Sequence, residues 1–262
     1  MKVGHLCLVV ASTLVISNVG SGTLGKSPAT PAHGARANTP AAPSVTTGSV
    51  TGVVKLQGPA PKAAPINMAR DPACVKLHPT STFMTEEVVV GAGGGLQNVI
   101  VYVSEGLGER TFEPPQEPVV IEQRGCIYYP HVVALQAKQK LRFVNIDPAS
   151  HNCHPVPVNN REWNKVQPPG MDAIEVSFAR PEIAIPVKCD LHPWMRCYIA
   201  VFKHPYFAVS AKNGSFDLKN LPPGKYTLEA WQEKFGTVAQ EVTIGPNETK
   251  TVEFVFKPKG LH

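Results

Sequence analysis

Charge is scarce in this chain and never runs in one sign: charged residues make up 17% of its 262 residues, and the formal net charge is +5. No basic stretch carries interleaved aromatics, so nucleic acid is not an expected partner. No segment shows the apolar spacing of a persuasive amphipathic helix. Long apolar runs are missing outside the extreme N-terminal region, and a membrane-spanning helix needs ~20 apolar residues. There is also no His-x-His cluster to mark a second metal and no obvious acid and base pair, so a catalytic centre lacks its usual parts.

What is present begins with Met1-Lys2, the apolar run Leu6 to Ile16, and the small residues Gly20, Ser21 and Gly22. A charged start, a short apolar core and a small-residue end describe a secretory signal peptide over 1–22. The protein is therefore expected in the periplasm or outside the cell. It would meet a membrane only if this segment stayed uncleaved as an anchor. Residues 23–47 are dominated by Pro, Ala, Ser, Thr and Gly, a composition that cannot build a core and reads as a flexible tether.

From near Gly48 the pattern becomes that of short strands punctuated by Gly, Pro and Asn. Eight are readable, at 49–56, 98–103, 118–121, 131–136, 140–146, 174–178, 183–188 and 197–203. Eight such strands suit a Greek-key sandwich. Two connections are longer than such a sandwich needs, 58–95 and 155–173; loops of this length are commonly functional or disordered.

The chemistry concentrates in Cys189-Asp190-Leu191-His192-Pro193-Trp194-Met195. A thiol, an imidazole and a thioether follow one another at intervals of three residues, and soft sulfur with imidazole is a copper donor set. Pro193 disfavours a continuous helix through these residues, so the segment reads as a strand end and a tight loop. A second imidazole stands 38 residues before Cys189, at His151, after the strand-like run Lys140-Leu141-Arg142-Phe143-Val144. Zinc held by Cys153, Cys189, His151 and His192 is the rival reading, because zinc accepts mixed thiolate and imidazole ligands. A thioether in register at Met195 favours copper.

An upstream His-Asn pair with a downstream Cys-x-x-His-x-x-Met resembles the cupredoxins, the type 1 blue copper proteins, and most closely those with an amicyanin-like or plastocyanin-like ligand loop. The resemblance implies one copper held by His151, Cys189, His192 and Met195. It also implies that Asn152 ties the upstream loop to the Cys189 loop, with Pro193 and Trp194 beside the ligands; and since His192 comes after Cys189 has left the strand and is followed by Pro193 and Trp194, its ring edge is expected nearest solvent in an apolar patch. The implied function is electron transfer with redox protein partners and no catalytic residues. The alternatives are a copper-dependent oxidoreductase, or a cell-surface structural or partner-binding protein with a zinc or vestigial site.

With Cys7 in the signal peptide and Cys189 assigned to metal, Cys74, Cys126, Cys153 and Cys197 remain. An even number suits disulfides in an oxidising space, and four cysteines allow three pairings. Cys153 lies two residues beyond His151 and Cys197 two beyond Met195, so each shares its ligand's face of a strand. Cys153 with Cys197, and Cys74 with Cys126, is the preferred set; free buried thiols are the alternative. His131 and His154 are read as structural, with His154 facing outward beside an inward Cys153.

After Tyr206 the strands carry a different signature, Asn213-Gly214-Ser215-Phe216 followed by Leu221-Pro222-Pro223-Gly224-Lys225-Tyr226. This resembles the carboxypeptidase-regulatory or transthyretin-like β-sandwich, a module that usually serves as a scaffold. The expected fold is thus all-β: a cupredoxin-like Greek-key sandwich over 48–204 with long insertions, followed by a second small β-sandwich over 205–262.

Overall fold

The computed structural model of the protein describes residues 46–258. The expected signal peptide and almost all of the tether lie outside the described residues. In chain order the strands are β1 (Gly48–Leu56), β2 (Ile100–Glu105), β3 (Val119–Gln123), β4 (Tyr128–Tyr129), β5 (Val132–Gln136), β6 (Lys140–Asn145), β7 (His151–Pro155) and β8 (Lys165–Gln167). They continue with β9 (Ile174–Ser177), β10 (Glu182–Lys188), β11 (Arg196–Phe202), β12 (Phe207–Val209), β13 (Ser215–Leu221), β14 (Gly224–Gln232), β15 (Gly236–Ile244) and β16 (Thr249–Phe256). Among the described residues there is one α-helix, α1 (Pro72–Leu77).

The all-β class read from the sequence is what the structure shows, as two sandwiches. In one, the sheet β5-β11-β10-β7-β8 faces the sheet β4-β3-β6-β9. Their shared core holds Ile121, Leu135, Leu141, Phe143, Ile185, Val187 and Ile199 together with Cys189 and Met195. In the other, β13-β1-β16 faces β12-β2-β14-β15, around Val50, Val54, Val101, Phe216, Leu228 and Phe254.

A third apolar layer joins the two. Ile100 and Tyr102 of β2 meet Val132 of β5 and Ala200 and Phe202 of β11. Alternate residues of a strand point to opposite faces. Accordingly Cys197, Ile199 and Val201 enter the first core while Ala200 and Phe202 enter the joining layer. A strand covered on both sides reads as a continuous apolar run, which is the character of 197–202.

The expected boundary between 204 and 205 cuts across this arrangement. β1 lies between β13 and β16, antiparallel to the first and parallel to the second. β2 likewise lies between β12 and β14. Residues 48–56 and 100–105 therefore belong to the sheets of the C-terminal sandwich, and the sandwich carrying the Cys189 loop is built from the strands between Val119 and Phe202. Alternation shows that a strand has one apolar face but not which core receives it; here Val50 and Val54 pack with Phe216, Leu218 and Phe254.

Candidate metal centre

Two strand ends bring the donor residues together. β7 and β10 run antiparallel, with Val187 opposite Pro155 and Lys188 opposite His154. His151, which opens β7, and Cys189, which follows β10, are thereby carried to one end of the sheet. Upstream, the turn before β7 is held by Asn145: its amide Nδ2 donates to the Ala149 carbonyl (2.9 Å) and its Oδ1 accepts from the Asp147 N–H (3.0 Å). Downstream, the Cys189 loop closes on itself. The Met195 N–H donates to the His192 carbonyl (2.9 Å) and the Cys189 N–H donates to the Met195 carbonyl (3.2 Å). This is the tight loop expected around Pro193.

The donors of His151, Cys189 and His192 all lie within 4.8 Å of one another. Nδ1 of His151 is 2.9 Å from Nδ1 of His192, and Cys189 Sγ is 3.7 Å from Nδ1 of His192. Met195 is fully buried in the same core cluster as Cys189.

Each ring is gripped from behind by a carboxylate. Nε2 of His151 lies 2.9 Å from Asp147 Oδ2, and Nε2 of His192 lies 2.9 Å from Asp71 Oδ2. An ionised carboxylate can only accept, so in each ring Nε2 carries the proton and Nδ1 presents a lone pair. The hydrogen bond from His192 and the N–H groups of Ala73 and Cys74 hold the Asp71 carboxyl below its ordinary range. For Asp147, burial pushes upward, but the His151 hydrogen bond and the N–H groups of Cys126 and Gly125 outweigh it and hold the group ionised.

Two lone pairs aimed at each other across 2.9 Å are repulsive unless a cation stands between them, a shared proton or a metal ion. Burial opposes charge on His151, but Asp147 and Cys189 overcome it and raise its proton affinity. Burial likewise pushes the Cys189 thiol up, and the adjoining His151 ring together with hydrogen bonds from the N–H groups of Asn152, His192 and Leu191 brings it below its ordinary value. A thiolate-forming cysteine, two imidazole lone pairs and a buried thioether make a donor set that fits a soft transition metal.

Asn152 bridges the two ligand loops. Its Oδ1 accepts from the Asp190 N–H (2.7 Å) and the Leu191 N–H (3.3 Å) and lies 3.2 Å from Cys189 Sγ. The connection 155–173 supports it: Asn164 Oδ1 accepts from Asn152 Nδ2 (2.7 Å). Pro193 is exposed on the loop. Trp194 is half-buried, its ring tilted against His192 at 5.0 Å between centroids and its Nε1–H donating to the Cys126 carbonyl (2.9 Å).

Two expectations are corrected, and the rival zinc set loses its fourth donor. His192 does not present an edge to solvent: it is 3% exposed, because the connection 58–95 folds over the loop and sets Asp71, the N-cap of α1, on its Nε2. Cys153 and Cys197 are free rather than bonded to each other. They do face the same core, but β10 stands between β7 and β11. Two strand spacings put them about 10 Å apart, beyond the ~7 Å that a disulfide spans between Cα atoms. The other expected bond, Cys74–Cys126, is formed. Finally, Cys153 does not join a zinc set with Cys189 and the histidines: its sulfur accepts from Gln123 Nε2 at 2.8 Å.

His154 points away from the centre, with Nδ1 2.9 Å from Asp190 and Nε2 2.8 Å from Glu162. His131 is buried against Glu233 of the C-terminal sandwich at 2.5 Å. Asp71 and Asp147 were not foreseen. Asp71-Pro72 has the form of a helix start, Asp as N-cap and Pro as first helical residue, and that was the available signal for the first. Asp147 has no local signature.

No curated protein sequence matches the chain significantly. Residues 199–257 match the carboxypeptidase regulatory-like domain. Solved structures similar to the chain include the copper-containing nitrite reductase of Thermus scotoductus SA-01, at 22% identity and a TM-score of 0.31, over 38% of this chain and 25% of that one. The purple cupredoxin of Nitrosopumilus maritimus follows at 20% identity and 0.28, over 32% and 98%. Amicyanin of Paracoccus versutus stands at 19% identity and 0.30, over 38% and 96%. The chain thus spans a quarter of the nitrite reductase and nearly all of each small copper protein. Residues 199–257 are therefore similar to a carboxypeptidase regulatory-like domain.

Proposed function

We propose that the protein binds one copper ion through His151, Cys189, His192 and Met195 and carries electrons. The observation that supports this most directly is the pair of imidazole Nδ1 lone pairs facing each other at 2.9 Å, with Cys189 Sγ beside them and Met195 buried in the same core. Two imidazoles, one thiolate and a thioether are the ligands of a trigonal copper site with a weak axial sulfur. Bound copper supplies a one-electron couple. The protein's own part is to hold the donors still: Asp147 and Asp71 fix the two ring tautomers, Asn152 gathers the Asp190 and Leu191 N–H groups beside Cys189, and strands β7 and β10 anchor both loops. Ligands fixed in this way rearrange little when the charge at the centre changes, which suits an electron carrier.

The partners in this reading are redox proteins, and the protein works after export. The Cys74–Cys126 disulfide supports export, since such bonds persist in oxidising compartments. Among the described residues no helix is long and apolar enough to cross a membrane. The test is copper titration of the purified protein followed by visible spectroscopy. One equivalent should bind and give an intense thiolate-to-copper absorption, and Cys189→Ser should remove that band. A Cys189→Ser protein that kept the band would overturn the assignment.

A further inference from the structure

The two carboxylates behind the histidine rings come from distant parts of the chain, and one covalent bond joins those parts. Asp71 Oδ1 accepts from the N–H groups of Ala73 (2.8 Å) and Cys74 (3.3 Å), while its Oδ2 holds Nε2 of His192. Asp147 accepts from the N–H groups of Gly125 (2.6 Å) and Cys126 (2.8 Å), while its Oδ2 holds Nε2 of His151. Cys74 and Cys126 are bonded to each other. An unbroken chain of contacts therefore runs from one imidazole to the other around the back of the centre.

This bond is the covalent tie between the segment that carries Asp71 and the backbone that Asp147 grips. Among the described residues, 59–85 make backbone hydrogen bonds only with one another. The segment's non-covalent ties to the metal-loop sandwich include the contact of His78 Nε2 with the Gly125 carbonyl (2.8 Å) and apolar packing of Met68, with Ile66, Ala73, Leu77 and Phe83 against the same core. Cys74 itself is fully buried, with its sulfur 3.7 Å from Nε2 of His192.

We propose that the Cys74–Cys126 disulfide is a positioning bond for the metal loop. It presses Asp71 onto His192 and aligns the Gly125–Cys126 backbone that orients Asp147, so that both rings present Nδ1 toward Cys189. This rests on the copper reading above for its purpose, but not for its geometry.

The test compares full-length wild type with Cys74→Ala/Cys126→Ala and with Asp71→Asn. Three quantities are measured: the ring nitrogen resonances of His151 and His192 in metal-free protein, cuprous affinity by competition with a chromophoric chelator, and melting temperature. Both variants should lose the single Nε2–H form of His192 and bind cuprous ion about tenfold to a hundredfold more weakly, the usual consequence of removing a partner behind a ligand. The double variant alone should melt markedly lower. A double variant that melts lower yet keeps wild-type ring resonances and affinity would show the bond to be structural only. If that variant does not fold, Asp71→Asn decides, and an unchanged His192 tautomer there overturns the proposal. Wild type that binds no copper would sink the copper reading, and the metal-free resonances would still judge the positioning bond.

Discussion

Asp147 and His151, four residues apart, form an almost completely buried pair with Oδ2 and Nε2 2.9 Å from each other, while the ring's other nitrogen, Nδ1, meets His192. The carboxylate thus settles which nitrogen is left to face His192. Asp147→Asn keeps the shape but lets the amide offer N–H as well as C=O, so the ring is no longer held in one tautomer. Copper affinity should fall by about tenfold to a hundredfold. Chelator competition measures it, and unchanged affinity would mean that the strand end alone orients the ring.

Met195 and His151 should respond differently to truncation. The thioether is assigned the weak axial place, so Met195→Leu should keep copper and the absorption band while raising the reduction potential. On the proposed copper reading His151 is a ligand of the trigonal plane, so His151→Ala should weaken binding outright. Voltammetry and copper titration on the two variants separate the roles; equal loss of copper in both would tell against an axial Met195.

His204 gives the protein an acid-sensitive element outside the Cys189 loop. It is 5% exposed, and burial lowers its pKa from 6.5 to about 4; its Nδ1 accepts from the Tyr206 N–H at 3.2 Å. Between those two pH values the unfolded chain binds the proton and the folded one does not, so stability rises with pH across the window. Full expression of the shift is worth about 3 kcal/mol at ~1.4 kcal/mol per unit. A His204→Gln variant should show a flatter dependence of melting temperature on pH from about 4 to 6.5 than wild type. An identical slope would rule out His204 as its source.

The pair His131–Glu233 works in the opposite sense. Both side chains are less than a tenth exposed and lie 2.5 Å apart, one in each sandwich. Burial opposes charge on His131, but Glu233, with Glu86 nearby, raises its pKa above 6.5. The stabilisation is therefore full below pH 6.5 and is lost as pH climbs through the raised value. Glu233→Gln leaves a buried imidazolium without its partner and should cost about 3–5 kcal/mol at pH 6, and less in alkali. Denaturant titrations at the two pH values check this, and an equal cost at both would show that His131 is neutral throughout.

The parts of the molecule most legible in the sequence were those encoded by short-range pattern. The Cys189-to-Met195 spacing, the strand ends before it and before His151, and the Pro193 break all follow from a few consecutive residues. So does the C-terminal signature around Asn213 and Leu221. What alternation cannot supply is the identity of a strand's neighbour. It placed Cys153 and Cys197 on one face correctly, but not β10 between their strands. It gave β1 an apolar face without revealing that Phe216 and Phe254 would cover it. Asp71 stands 121 residues from His192 in the chain, and only the fold-back of a long connection brings them into contact.

The order in which the strands pair has a temporal side. β1 is among the earliest strands to leave the ribosome, yet its partners β13 and β16 begin at residues 215 and 249. The Cys189 loop and the sandwich around it are complete by residue 202, while the apolar face of β1 still waits for its cover. During synthesis the half that holds the candidate ligands can therefore settle first, and the half that joins β1 and β2 to the strands after Tyr206 can close only after Phe256 emerges.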